Sequence, residues 1–264
     1  MSSEREEGTT HRGPAEPGTA SVRGDRVRFR LLAITPPAQD PTARHVDAWL
    51  RTGVPASQMA ALLRRPDESL AAALSRIDQD ATWRRFVGAC TEAGVWLLAS
   101  ASAREVTLAA EPLARSPACG VQLRGDPSPA EIHRAREALG GDDGALIGRS
   151  VHGAPPFDSP HGADYTCLAP VFPPRTDQAG RTKAAIGLST LRRWTALRHA
   201  GQVFALGGVD ATNASACLNA GAYGLAGIRA FFGDVGQVRE DVAALHQALA
   251  AAPRHADAKS IPRL

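Results

Sequence analysis

The sequence predicts an α/β fold, a closed (β/α)8 TIM barrel. Three observations carry that expectation: eight short β-rich runs, helix-period segments between most of them, and no glycine fingerprint after the first run. An open doubly wound sheet is the alternative topology. It would place GxGxxG after the first strand, where this chain has TPPAQDPT.

The strands are expected at RFRLLAIT (28–35), QMAALLR (58–64, the weakest), VWLLAS (95–100), CGVQL (119–123), ALIGRSV (145–151), YTCLAPVF (165–172), VFALGG (203–208) and YGLAGI (223–228). Most are continuous apolar stretches, the pattern of parallel strands covered on both faces. Helical periodicity follows in TARHVDAWLRT, TWRRFVGACTEAG, SAREVTLAAEPLA, SPAEIHRAREALG, STLRRWTALRHAG, DATNASACLNAGA and VGQVREDVAALHQALAAA. Ser128-Pro129-Ala130-Glu131 reads as a capping box with proline at the first helical position, and Asp210 precedes another helix. Two connections are irregular. Residues 65–82 are longer than a standard link, and GAPPFDSPHGAD after the fifth strand has space for only a short or broken helix.

Residues 1–26, rich in Gly, Pro, Ser, Thr and charge, read as a disordered tail, and residues 252–264 as a second flexible end around a single barrel domain at 27–251. A net charge of +3 is spread over 264 residues without basic runs interleaved with aromatics, so nucleic acid is not an expected partner. No apolar stretch approaches the roughly 20 residues of a membrane helix. Cys90, Cys119, Cys167 and Cys217 are widely spaced with mostly apolar neighbours, which points to reduced core thiols and a cytoplasmic setting. Trp49, Trp83, Trp96 and Trp194 read as packing residues. A homodimer through the outer helices is left open.

Two features carry chemistry. Strand seven ends in Leu206-Gly207-Gly208-Val209 and strand eight in Ala226-Gly227-Ile228-Arg229, where barrels usually cradle phosphate with main-chain N–H groups and helix N-termini. The plainer reading is that these glycines serve tight βα turns. Arg229 would strengthen an anion site, or pair with an acid such as Glu240. The second feature is GRSVHG, which exposes His152 at the end of strand five, across the mouth from that cradle. Imidazole suits taking a proton and returning it elsewhere, and the competing reading is a strand cap or loop support. Cys167 has no adjacent base, Ser150 and His152 share a strand face without an evident third member, and His133 and His199 lack metal-ligand spacing. His161 reads as a surface histidine.

GRSVHG, the GADY step into APVFPPRT, and FALGGVDATNASACLNAGAYGLAGIRAFFGD together resemble the thiamine-phosphate synthase and thiazole tautomerase family, in its TenI-like branch. The resemblance runs through residues 144–234 and reaches back more weakly to Leu31. It implies a (β/α)8 barrel holding a phosphorylated thiazole, with Gly207, Gly208, Gly227 and Ile228 as phosphate donors beside Arg229. For the synthase branch it implies magnesium, held by aspartates. Here Ser100-Ala101 stands where an Asn-Asp pair is expected, Asp126 is one position out of register, and Asp177 replaces a lysine for which Lys183 could substitute. Of a Gln-Leu-Arg-Glu-Lys motif only Arg64 keeps its match, a contact for a substrate carboxylate. The resemblance therefore favours a metal-free, cofactor-free tautomerase with His152 as acid and base. A diverged magnesium-dependent synthase and a non-catalytic phosphate-ligand binding relative are the alternatives.

Overall fold

The computed structural model describes residues 26–65, 67–153, 162–173, 184–197 and 201–252. Eight parallel strands close on themselves in sequence order. They are β1 (Leu31–Ile34), β2 (Met59–Leu63), β3 (Trp96–Ala101), β4 (Gly120–Leu123), β5 (Leu146–Val151), β6 (Tyr165–Leu168), β7 (Gln202–Leu206) and β8 (Gly224–Gly227). Closure comes from β1 against β8, with Leu31 opposite Leu225 and Ala33 opposite Gly227. Six of the eight sequence runs contain their strand whole, while β3 runs one residue past its expected end and β7 starts one residue before its expected beginning. Around them lie α1 (Ala43–Leu50), α2 (Leu70–Gln79), α3 (Ala81–Ala93), α4 (Ala103–Leu108), α5 (Ala110–Arg115), α6 (Pro129–Ala138), α7 (Gly187–Thr195), α8 (Ala214–Asn219) and α9 (Val235–Ala251).

Alternation along each strand divides the apolar residues into two cores. Leu32, Ile34, Ala60, Leu62, Leu98, Cys167, Phe204 and Ala226 fill the barrel, over a base that includes Val27, Phe29 and Tyr165. Leu31, Ile147 and Val203 point outward against helix residues such as Trp49, Trp83, Phe86, Trp194, Val238 and Leu245. The strands are buried on both faces, so little alternation was visible in their sequences.

Local chemistry sets the helix limits. The Ser128–Glu131 capping box forms around Pro129 as expected, and Ser102 and Glu105 build a second one. Three helix expectations are corrected. Residues 70–79 form α2, started by Ser69, whose hydroxyl accepts the Ala72 N–H. Asp80 then caps α3 by accepting the N–H groups of Thr82 and Trp83, so the long connection contains a helix. SAREVTLAAEPLA is two helices, because Pro112 has no N–H and its ring would strike the carbonyl four residues back, at Leu108. The helix after strand seven is reduced to six residues behind Asn213, while Asp210 caps the turn before it by accepting from the N–H and hydroxyl of Thr212.

Cys90, Cys167 and Cys217 are buried, and all four cysteines are free. Cys119 is exposed, which corrects its placement in the core. It lies at the entry of β4, the end of the barrel away from the strands' C-termini. The tails expected at 1–26 and 252–264 lie almost wholly outside the described residues, as does most of GAPPFDSPHGAD with His161. Among the described residues no helix is long and apolar enough to cross a membrane.

The closed end is locked by a buried carboxylate. Asp164, 0% exposed, accepts the Ile147 N–H at 2.7 Å and an Arg136 N–H at 3.0 Å, and Arg26 lies at 3.4 Å. Removing one member of a buried pair leaves the other charge without compensation. Asp164→Ala is expected to lower stability by about 3–5 kcal/mol. Asp47→Ala, which breaks the exposed Arg51–Asp47 pair, should leave stability unchanged. Urea denaturation midpoints of the two variants provide the comparison.

Candidate active site

The C-terminal ends of the strands surround one cavity of about 950 Å³, large enough for a phosphorylated heterocycle. Arg64, His152, Gly207, Gly208, Gly227, Ile228 and Arg229 all line it. The barrel thus brings these seven residues to one cavity. Strand alternation explains the positions of most of them, since Leu62 and Arg64, Ser150 and His152, and Ala226 and Ile228 point inward two residues apart.

His152 is held by Asp126. One carboxylate oxygen accepts the His152 main-chain N–H at 2.6 Å, and the other lies 2.8 Å from the ring Nδ1. Asp126 adopts φ +54°, a left-handed conformation uncommon outside glycine, directly after Gly125 at φ +85°. A carboxylate at Nδ1 selects the tautomer with its proton there. Nε2 is then the ring nitrogen with a free lone pair. This geometry supplies a carboxylate partner that the sequence did not reveal, yet it makes no serine triad: no hydrogen bond joins Ser150 to His152, and the Ser150 hydroxyl accepts from the Gln122 side-chain amide at 3.0 Å. Cys167, whose thiol pKa burial pushes up, packs in the barrel with its sulfur 3.8 Å from the Gln122 carbonyl oxygen.

At Gly207 and Gly208 the loops show the plainer of the two readings, tight βα turns. Gly207 and Gly208 have φ +88° and +64°. A Cβ at Gly207 would come within 2.6 Å of Pro170, and one at Gly208 within 2.7 Å of Phe172. Those residues are glycine because the loop after β7 lies against the loop after β6. The Asn213 side-chain amide secures the turn by donating to the Gly208 carbonyl at 2.8 Å. Among the described residues, the N–H groups of Gly207, Gly208, Ile228 and Arg229 have no hydrogen-bond partner. They remain available to an anion. Gly227 has an ordinary φ and room for a Cβ against Phe231, so the turn itself does not require glycine there. The helix-dipole contribution is also smaller than expected, given six-residue α8 and a single turn between Ile228 and Phe232. Arg229 is exposed at the rim without a described partner, and no Glu240 pair forms.

Two further cations face the cavity. Arg64 is partly buried, and burial, then the nearby Arg124, lowers its pKa from the usual arginine value. Arg124, not anticipated from the sequence, donates to both oxygens of Glu105 at 2.9 and 2.6 Å. Glu105 stays below the ordinary carboxylate range despite burial, which acts in the opposite direction, because Ser102 and Arg124 stabilise its charged form. Strand period alone could have found Arg124 and Gln122, since Val121 and Leu123 face the helices.

The donor set expected for a synthase's magnesium is reduced among the described residues. Ser100 contributes one hydroxyl, Ala101 has no side-chain ligand atom, and Asp126 is the one carboxylate of the set, each of its oxygens also accepting from His152. Among the described residues no cluster of three or more His, Cys, Asp or Glu could hold a metal ion. Asp177 and Lys183 lie outside the described residues, as does His199. His133 sits on the outside of α6, 3.3 Å from Glu137.

The relatives agree with the architecture. A putative thiamine-phosphate synthase of Geobacter sulfurreducens is 38% identical over 117 residues, covering 44% of this chain and 52% of that protein. The chain therefore spans about half the length of the curated relative it matches. A thiamine phosphate pyrophosphorylase from Pyrococcus furiosus superposes with TM-score 0.60 at 22% identity, over 85% of this chain and 97% of that one. The 3-hexulose-6-phosphate synthase of Salmonella typhimurium gives 0.52 at 14% identity, over 84% and 99%. Likeness at such identities reports the fold. A family profile described as thiamine monophosphate synthase matches residues 31–231, from the first strand to the turn after the eighth. That span makes this chain a member of the thiamine monophosphate synthase (TMP-TENI) family.

Proposed function

We propose that this protein is a thiazole tautomerase, converting a thiazole carboxylate phosphate into its aromatic isomer by proton transfer through His152. The observation that carries the reading is the Asp126 carboxylate on Nδ1 of a histidine that lines the same cavity as the glycine loops. The reaction is an isomerisation. One proton leaves a ring carbon, its electron pair enters the ring, and one proton is returned to a second carbon. Nε2 takes the first proton and can deliver the second, while Asp126 stabilises the imidazolium formed between the two steps. The N–H groups of Gly207, Gly208, Ile228 and Arg229 would hold the phosphate, and Arg64 would meet the carboxylate. No metal step is needed.

The second reading, a thiamine-phosphate synthase, is favoured by the names that the relatives carry. It requires joining a thiazole phosphate to a pyrimidine pyrophosphate with magnesium. The two activities separate cleanly in one assay. Aromatisation of the thiazole carboxylate phosphate in the presence of a chelator supports the tautomerase. Magnesium-dependent thiamine phosphate formation supports the synthase. A ligand-induced rise in melting temperature with neither product would leave a phosphate-binding protein.

His152→Ala is expected to lower the aromatisation rate by about 10²- to 10⁴-fold, the usual contribution of a general acid–base group. Asp126→Asn should lower kcat about tenfold or more, because it removes the charge that stabilises the imidazolium. Steady-state kinetics in which both variants match the parent would remove His152 from the chemistry. Gly208→Ala acts at the other end of the substrate. Its Cβ collides with Phe172, so the loop must move, and KM should rise at least about tenfold while kcat changes little.

A further inference from the structure

Arg149 is the residue of GRSVHG that this chemistry leaves unused. It lies on the outer face of β5, where Ile147 and Val151 are apolar, and it is only 4% exposed. A guanidinium is costly to bury, and an aliphatic side chain would fill the space between sheet and helix more cheaply. Burial pulls the Arg149 pKa down to about 10, opposed by the negative charge of Asp126. Its Nε donates to the Thr166 hydroxyl at 3.1 Å, and its guanidinium carbon lies 5.1 Å from the centre of the Trp194 ring. Trp194 is buried on α7, and its indole N–H donates at 2.9 Å to the carbonyl of Gly153, the residue after His152.

The segment bearing His152 is thus gripped twice. Asp126 takes its main-chain N–H and ring, and Trp194 takes the next carbonyl. We propose that Trp194 and Arg149 are positioning residues for His152: the indole fixes the exit of β5, and the arginine stacks on that indole and holds its ring in place. The inference rests on His152 as the acid–base group.

The test combines kinetics with nitrogen NMR of the histidine-labelled protein at a pH where the His152 ring is neutral. The separation of the two ring-nitrogen shifts reads how completely one tautomer is held, and it needs no substrate. Trp194→Phe keeps the ring and removes only the N–H. It is expected to shrink that separation and to lower kcat by about ten- to a hundredfold, with KM for the phosphorylated substrate retained. Arg149→Met should do the same, and Arg149→Lys should recover part of the loss. Parental ring shifts and kcat in folded Trp194→Phe and Arg149→Met proteins, with only the melting temperature changed, would overturn the proposal. If the parent protein does not aromatise the thiazole, the function above fails, and the NMR result alone still decides the positioning role.

Discussion

The site depends on the pairing of β1 with β8. That contact joins Leu31–Ala33 to Leu225–Gly227, nearly two hundred residues away along the chain. Without it the strands would form an open sheet, with the loops after β5 and β8 projecting from separate places along an edge. Closure puts every strand's C-terminal end on one rim. A histidine from the middle of the chain and the glycine loops of its last quarter consequently line a single cavity. The buried Asp164 cluster reinforces the opposite end of β5 and β6, so the base is specified for rigidity while the rim carries the variable chemistry.

On that rim, Asp126 is the most informative residue. A left-handed backbone at a residue with a side chain costs of the order of 1–3 kcal/mol and persists where its surroundings impose it. Here the conformation presents both carboxylate oxygens to His152. Each oxygen accepts one hydrogen bond from His152, so the carboxylate fixes both the backbone and the ring of the residue that carries the imidazole.

How much was legible follows from the range of each interaction. The strands were visible because each is a short apolar run bounded by turn residues, and the capping boxes because Ser128 and Glu131 act within a single turn. Pro112 was equally local, and its conflict with the carbonyl of Leu108 could have been read. The second helix was hidden because LAAALSRIDQ follows an arginine pair and a proline that interrupt its approach. The Asp126–His152 pair could not be read, because it joins residues 26 apart on neighbouring strand ends and depends on the β4–β5 register, Leu123 opposite Arg149. Arg149 itself was read only as part of a motif. Its burial between sheet and helix became apparent once α7 placed Trp194 over it.

The charge distribution gives the cavity a direction. Arg124 is largely neutralised by Glu105, which holds it with two short hydrogen bonds. Arg64 has no such counter-ion bond among the described residues, and both its burial and Arg124 disfavour its charge. An arginine starts so far above neutral pH that it stays protonated even so. The protein thus maintains an incompletely compensated cation inside the mouth, a cost that an anionic ligand group would offset on binding. Unpartnered N–H groups supply a second point of anion attraction at the loops after β7 and β8. A substrate carrying two anionic ends, one for each, would be oriented before reaction. Between those points the floor presents the neutral Ser150, Gln122 and Cys167, which suits an uncharged ring. On the tautomerase proposal, orientation would come from the ends of the ligand, leaving His152 to act on whichever carbon the two anchors bring to it.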